Sequence, residues 1–299
     1  MPIKPSPAVV RAGQLLQFMA RRPSASYSIA ELARATDMPR ATCDSTLQAL
    51  AEHGLVVRRG HELRYELGGF CIVLGDAARA ANPILNAASV EAEALARALN
   101  ACVAVSALIG NATRVMAVSD WGPPLGTRPR PGQSVPLSPP FGAVFVAWDR
   151  DKAVAWLAEA AGTSADEAPD RWHKALDAIR RRGYSVSLTP ARSWVPDPDS
   201  AFETALNPPD PEHARRYQAE LAERMKHTEY LPMDLEGAEP VRLMQISAPV
   251  FDVAGRTAAA LMLLGPPHEL AIPEVEALGR QVADAAHRAA KAAGSDIPH

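Results

Sequence analysis

Aromatic side chains are scarce in this chain. They make up 5% of its 299 residues, too few for the stacking platforms of a single-strand nucleic-acid binder. Cysteine is scarcer still. Cys43, Cys71 and Cys102 form no CxxC pair and have no nearby histidine partner. That excludes a disulfide framework or a zinc site and reads as reduced core thiols of a cytoplasmic protein. No apolar run reaches the length of a membrane span, and Met1-Pro-Ile-Lys-Pro-Ser6 lacks a signal-peptide apolar region. There is no glycine-rich phosphate loop, no HExxH and no GxSxG, and the eight histidines are scattered without partners at ligand spacing. No cofactor or metal is implied, and enzyme activity is not expected.

What is present is the composition of a globular protein, with 47% hydrophobic and 22% charged residues. The length allows two domains of ordinary size. The net charge of −3 is unevenly spread: residues 1–69 carry nine Lys and Arg against six Asp and Glu, the remainder 22 against 28. A basic front on an acidic body fits a small DNA-contacting domain joined to a larger module. The basic excess is small, so few phosphate contacts per subunit and an affinity that depends on dimerisation are expected.

Residues 26–67 carry the strongest pattern. Ser28-x-x-Glu31 is a capping box that opens a short helix with Ile29, Leu32 and Ala33 inward. Asp37 can take the left-handed turn conformation, and Pro39 suits the first turn of the next helix, Arg40 to about His53. In that helix Cys43, Leu47 and Leu50 define a buried face, leaving Arg40, Ala41, Asp44, Ser45 and Gln48 outward. A basic hairpin follows, with Gly60 at its tip and Leu63, Tyr65 and Leu67 alternating with Arg64 and Glu66. This order is a winged helix-turn-helix, which places one helix in the DNA major groove. Arg40 suits phosphate or a guanine edge and Gln48 an adenine edge, with Thr42 and Ser45 close by. Asp44 can accept from a cytosine amino group or pair with Arg40 one turn back, and the pair is favoured. Arg58, Arg59 and Arg64 are expected phosphate contacts on the wing. Ser28 completes the candidate DNA-binding set. Ahead of this unit a helix over 9–19 has Val10, Gly13, Leu16, Gln17 and Ala20 along one stripe with Leu15, Phe18 and Met19 beside it, so that much of its surface is apolar and packs on the core and on a partner chain.

Residues 70–100 read as helix, broken near Pro83. Hairpins follow at Cys102–Ser119, turning at Gly110-Asn111, and at Ser247–Leu264, turning at Ala254-Gly255. Between them lie a proline-rich stiff loop over 120–140, a helix start over 141–148, helices over 152–161 and 166–182, and a strand over 184–188. Residues 190–240 are proline-rich with one expected helix over 212–227, and a helix over 273–292 closes the chain. Hairpins with intervening helices imply an α+β domain whose antiparallel sheet is covered by helices.

The chain resembles the IclR family of bacterial transcription regulators. The resemblance rests on Val9-Val-Arg-Ala…Leu16, on Ile29-Ala-Glu-Leu-Ala-Arg-Ala-Thr-Asp-Met-Pro-Arg-Ala-Thr42, on Leu50-Ala-Glu-His-Gly-Leu-Val56 and on Arg64-Tyr-Glu-Leu-Gly68. Farther along it rests on Pro136-Leu-Ser-Pro-Pro-Phe-Gly142, Ile179-Arg-Arg-Arg-Gly-Tyr184 and Ser247-Ala-Pro-Val-Phe-Asp252. It implies a winged helix-turn-helix domain over 8–69, a linker helix over 70–83 and a GAF-like effector-binding domain over 84–294, with 190–240 as an insertion. It also implies a homodimer or dimer of dimers that binds double-stranded DNA at a palindromic operator and responds to a small organic or aromatic acid. The expected pocket lies between the sheet and the loop and helix of 120–145. Met116, Trp121 and Phe141 are candidate walls beside Gly142. Ser106, Ser138, Gln245 and Ser247 are candidate polar anchors, and Arg128 or Arg130 a carboxylate partner. Trp194, in the insertion, is a candidate lid. Two departures stand out. Asp44 and Ser45 occupy the place where the family usually has an Arg after an aromatic residue or His, and Gln245 stands where it often has Cys. The alternative reading is a metabolite-binding or protein-interaction module whose winged helix has lost specific DNA recognition.

Overall fold

In the computed structural model the described residues are 5–20, 24–60, 63–123, 128–161, 168–188, 231–235 and 239–295. The expected insertion over 190–240, its helix at 212–227 and Trp194 fall outside them, apart from 231–235 and 239–240. The chain divides into two units, Met1–Asn82 and Pro83–His299. No helix among the described residues is long and apolar enough to cross a membrane.

The first unit runs α1 (Pro7–Ala20), α2 (Ile29–Ala35), α3 (Arg40–Glu52), β1 (Val56–Arg59), β2 (Arg64–Leu67) and α4 (Phe70–Ala80). Its local signals act as the sequence suggests. Ser28 and Glu31 close a reciprocal capping box on α2, and Asp37 turns the chain at φ 51°. Pro39 sits one position earlier than expected, as the extended N-cap of α3 rather than inside its first turn. The core gathers Leu15, Met19, Leu32, Cys43, Leu47, Leu50, Val56 and Tyr65.

Two side-chain assignments change. In α1 the buried stripe is Leu15 and Met19, flanked by Ala12 and Leu16, while Val9 and Val10 face solvent. The longer Leu15 and Met19, one turn apart, fill the interior better than Val10, Gly13 or Gln17. Leu63 lies before β2 at φ 54°, so it leaves the strand alternation and is 47% exposed, whereas Tyr65 is 4% exposed. Tyr65 also exchanges backbone hydrogen bonds with Tyr27, which ties the wing to the segment before α2.

The second unit runs α5 (Pro83–Leu99), β3 (Cys102–Ile109), β4 (Ala112–Asp120), β5 (Ser134–Pro136), α6 (Ala143–Val146), α7 (Arg150–Ala161), α8 (Asp170–Arg182), β6 (Ser185–Leu188), β7 (Leu243–Phe251), β8 (Thr257–Leu264) and α9 (Ile272–Ala292). The strands form one six-stranded antiparallel sheet, ordered β5-β4-β3-β8-β7-β6. This is the expected α+β architecture. Within the stretch read as an irregular loop, β5 pairs with Ala112–Arg114. Pro136 is tolerated there because it ends an edge strand. The helix after the loop is only Ala143–Val146, and α8 begins at Asp170 because Pro169 is its N-cap.

Both faces of the sheet are covered. On one, Ala88, Ala92 and Ala96 of α5 and Ala285, Ala286 and Ala289 of α9 pack on Val103, Val105, Ile246, Ala248 and Leu261. The small helix residues let the helix backbones lie close to the strands. Closest of all is Gly279 of α9, where a Cβ would overlap the ring of the buried Tyr184. On the other face α6, α7 and α8 form a second cluster around Trp156 and Trp172, whose rings meet edge to face at 5.8 Å. Replacing Gly279 by Ala in an ordinary helix stabilises it, by up to about 1 kcal/mol. Here Gly279→Ala is expected to destabilise the unit by about 1–3 kcal/mol, because a Cβ would overlap the buried Tyr184 ring and force it to shift. Urea unfolding of the two proteins checks the sign.

Candidate nucleic-acid interface and ligand face

The apolar side of α3 is held by Cys43, Leu47 and Leu50, which turns Arg40, Ala41, Asp44, Ser45 and Gln48 outward. Thr42 is half-buried, and its carbonyl accepts hydrogen bonds from the hydroxyls of Ser45 at 3.1 Å and Thr46 at 2.7 Å. The favoured Arg40–Asp44 pair is absent: among the described residues neither side chain makes an ion pair. On an exposed helix such a pair gains only a few tenths of a kcal/mol and does not outweigh side-chain freedom.

The wing arginines differ from one another. Arg58 is exposed and makes no ion pair among the described residues, and Arg59 pairs with Glu66 at 3.1 Å. Arg64 turns inward. Its Nε donates to Ser26 Oγ at 2.9 Å, and its Nη2 donates to the Ser26 carbonyl at 2.6 Å and to Glu31 Oε2 at 3.1 Å. Glu31 thereby joins the wing to the start of α2, while Ser28 is engaged in the capping box. The hydrogen bonds from the Ser28 backbone and hydroxyl, and then the charges of Arg64 and Arg34, hold the Glu31 carboxyl below its ordinary range.

In the second unit the expected anchors Ser106 of β3 and Ser247 of β7 lie on the sheet face opposite α5 and α9. The register extends the row. Ser106 is opposite Ala260, which packs under α6; Ser247 is opposite Ser185, and Gln245 is opposite Ser187. Ser106, Ser185, Ser187 and Ser247 are all buried, yet no side chain of this group makes a hydrogen bond among the described residues. Ser185 and Ser187 are not among the sequence candidates. Their alternation with Tyr184 and Val186 reads as a solvent face until the sheet is known to be covered on both sides.

The 137–142 turn brings Ser138, Phe141 and Gly142 to the head of α6. Phe141 N–H donates to the Ser138 carbonyl, and Trp156 donates to the Phe141 carbonyl at 2.7 Å. Gly142 is left-handed at φ 75°, and a Cβ there would overlap Leu137. Met116 is the extra residue of a bulge in β4 opposite Val105 and Ser106.

The remaining candidates lie elsewhere. Trp121 sits against α5, its indole donating to Glu93 at 3.1 Å and its ring covered by Arg97 at 4.4 Å. The pairing of Cys102 with Asp120 carries the end of β4 to that side. Arg128 is bound to Asp120 at 2.7 Å, which neutralises it, and Arg130 is exposed, its backbone N–H bonded to Gln133. Neither expected arginine stands over the serine row as a free cation. The thiols are also inert in their setting. Burial, and then the charge of Asp120, push the Cys102 thiol up to about 11, and burial raises Cys43 and Cys71.

Residues 8–60 match the family model described as the IclR helix-turn-helix domain. The match lies within the first unit. Among curated proteins none matches the sequence. Solved structures do match. An IclR transcriptional regulator from Alicyclobacillus acidocaldarius is 17% identical with a TM-score of 0.66, covering 97% of this chain and 100% of that one. HmgR from Pseudomonas aeruginosa is 20% identical with a TM-score of 0.60, covering 96% and 98%. An IclR homologue from Microbacterium hydrocarbonoxydans, complexed with 4-hydroxybenzoate, is 13% identical with a TM-score of 0.63, covering 97% and 100%. In its described residues this chain shares the fold of these solved IclR-type structures.

Within the first unit the Glu31–Arg64 contact has a pH signature. A carboxylate held below its ordinary pKa adds stability above the unfolded value, near 4.5, and loses it as pH falls through the lower folded value. The gap in melting temperature between the native chain and Glu31→Gln is therefore expected to be widest near neutral pH and to shrink below about pH 4.5. Thermal melts across that range check it.

Proposed function

We propose that this chain is a cytoplasmic, ligand-responsive transcription regulator that binds a palindromic operator as a homodimer and a small organic metabolite in its second unit. In this reading residues 8–69 contact DNA, 70–83 link and 84–294 bind the effector. The observation that carries it is the outer face of α3, where Arg40 and Gln48, like Arg58 on the wing, stand exposed without partners among the described residues. Arg40 and Gln48 read base edges, and Arg58 with Arg59 contacts phosphates. Arg64, engaged with Ser26 and Glu31, fixes the wing instead. Asp44, unpaired on the same face, favours the second reading, a module that has given up specific DNA recognition, because an unpaired carboxylate is repelled by phosphate.

Fluorescence anisotropy on a duplex from the promoter beside the chain's own gene separates the two. Affinity is expected to fall about a hundredfold between roughly 50 and 200 mM salt for about four phosphate contacts. Arg40→Ala with Gln48→Ala should weaken it by roughly tenfold to several hundredfold. Affinity indifferent to salt, sequence and both substitutions supports the second reading.

The dimer is supported by α4, which buries no side chain within its own unit and exposes Phe70, Ile72, Val73 and Leu74, with Ile72 67% exposed. Phe70, Val73 and Leu74 share one side of α4 and Ile72 projects from the other, and exposed apolar side chains of this kind mark an interaction surface. Ile72→Glu with Leu74→Glu is expected to shift sedimentation toward the monomer and weaken operator binding together. An unchanged sedimentation profile would remove α4 from the interface.

In this reading the effector lies over the row of Ser106, Ser185, Ser187, Gln245 and Ser247, whose side chains make no hydrogen bond among the described residues. The 4-hydroxybenzoate complex of the Microbacterium hydrocarbonoxydans homologue lends support to a small aromatic ligand.

A further inference from the structure

Arg182 is the last residue of α8, where the chain turns at Gly183 into β6. Its Nη2 donates to the Pro232 carbonyl at 3.1 Å. Its Nε and Nη1 are sealed from solvent and donate to nothing. Among the described residues no carboxylate forms an ion pair with it; Asp234 and Tyr184 act on it only at a distance, and Arg181 opposes it. Burial accordingly pulls its pKa below the ordinary arginine value. Of the other arginines in this turn, Arg180 is matched by Asp177 at 2.6 Å, and exposed Arg181 makes no ion pair among the described residues.

Arg182 as a whole is half-buried, but guanidinium donors closed off from both water and an acceptor are costly and are normally met by an oxyanion. The helix C-terminus and one carbonyl offer only partial negative charge. We propose that Arg182 is the receptor of an oxyanion site, in which a small carboxylate or phosphate accepts hydrogen bonds from its unpaired guanidinium donors. Nη2 keeps a proton beyond the one given to Pro232, so the anion can be held in the two-pronged manner usual for arginine. An anion that displaced the Pro232 carbonyl would exchange one neutral acceptor for charge-assisted bonds and would draw on segment 231–235, which leads toward β7. The site does not depend on the serine row.

Thermal melts of the full chain at constant ionic strength, in chloride, benzoate, inorganic phosphate or uncharged benzamide, test this. The native chain is expected to gain about 3–6 °C at ten times the dissociation constant of a bound anion, and nothing from benzamide. A gain with benzoate alone assigns the site to organic carboxylates, and with phosphate alone to the inorganic ion. Arg182→Gln should lose the gain while melting no lower than the native chain in chloride, since the unmatched charge is gone. Arg182→Lys, which keeps the charge but not the fork, should retain a smaller gain and decides the matter if the glutamine variant does not fold. The proposal is overturned if neither anion acts, if benzamide acts equally, or if Arg182→Gln or Arg182→Lys keeps the full gain. A benzoate response that survives Arg182→Gln and vanishes in Ser247→Val would locate the ligand at the serine row instead.

Discussion

A sheet with helices on both faces has nowhere to hide polar side chains from the interior, because alternate residues of every inner strand point into one core or the other. In the second unit the two cores handle this differently. Toward α5 and α9 the strands present valine, leucine, isoleucine and alanine, matched by alanines and by Gly279. Toward α6, α7 and α8 they also present serines and a glutamine without protein partners. The residues are buried as a whole, yet none of their hydroxyl oxygens is among the side-chain atoms sealed from solvent without a partner, so the row keeps polar groups within reach of water or a ligand. The apolar face stabilises the unit, and that surplus lets the opposite face stay polar.

In the first unit, charge is sorted between structure and surface. Arg64 lies half-buried and ties together three pieces of chain: the segment before α2, the cap of α2 and the second wing strand. With Tyr65 bonded to Tyr27, the wing and α2 behave as one body. Arg40 and Arg58, which have no such contacts, remain at the surface. Residue type alone did not distinguish them; the partners within reach did.

The elements readable in the sequence are those set by neighbours along the chain. The Ser28–Glu31 capping box, the break at Pro83 and the turns at Gly110-Asn111 and Ala254-Gly255 each depend on a few adjacent residues, and the structure has all of them. What was not legible depends on contacts far along the chain. β5 exists because Ala112–Arg114 lies alongside Ser134–Pro136, which no local signal announces amid the prolines. The buried side of α1 was settled by which side chains the core could accommodate. Trp121 and Arg128 went to other partners because β4 ends beside the start of β3. Ser185 and Ser187 have a solvent-facing pattern and a buried location, a combination visible only once α8 lies over them.

The cysteines bear on how such a protein can receive a signal. With its thiol pushed up to about 11, Cys102 is ionised in only about one molecule in ten thousand at pH 7. Cys43 is buried, and its thiol is raised in the same direction. Electrophiles attack the thiolate, so burial and raised thiols make Cys43 and Cys102 poor targets for them. Messages reaching this chain through its cores would have to arrive as reversible occupancy, leaving no covalent record behind.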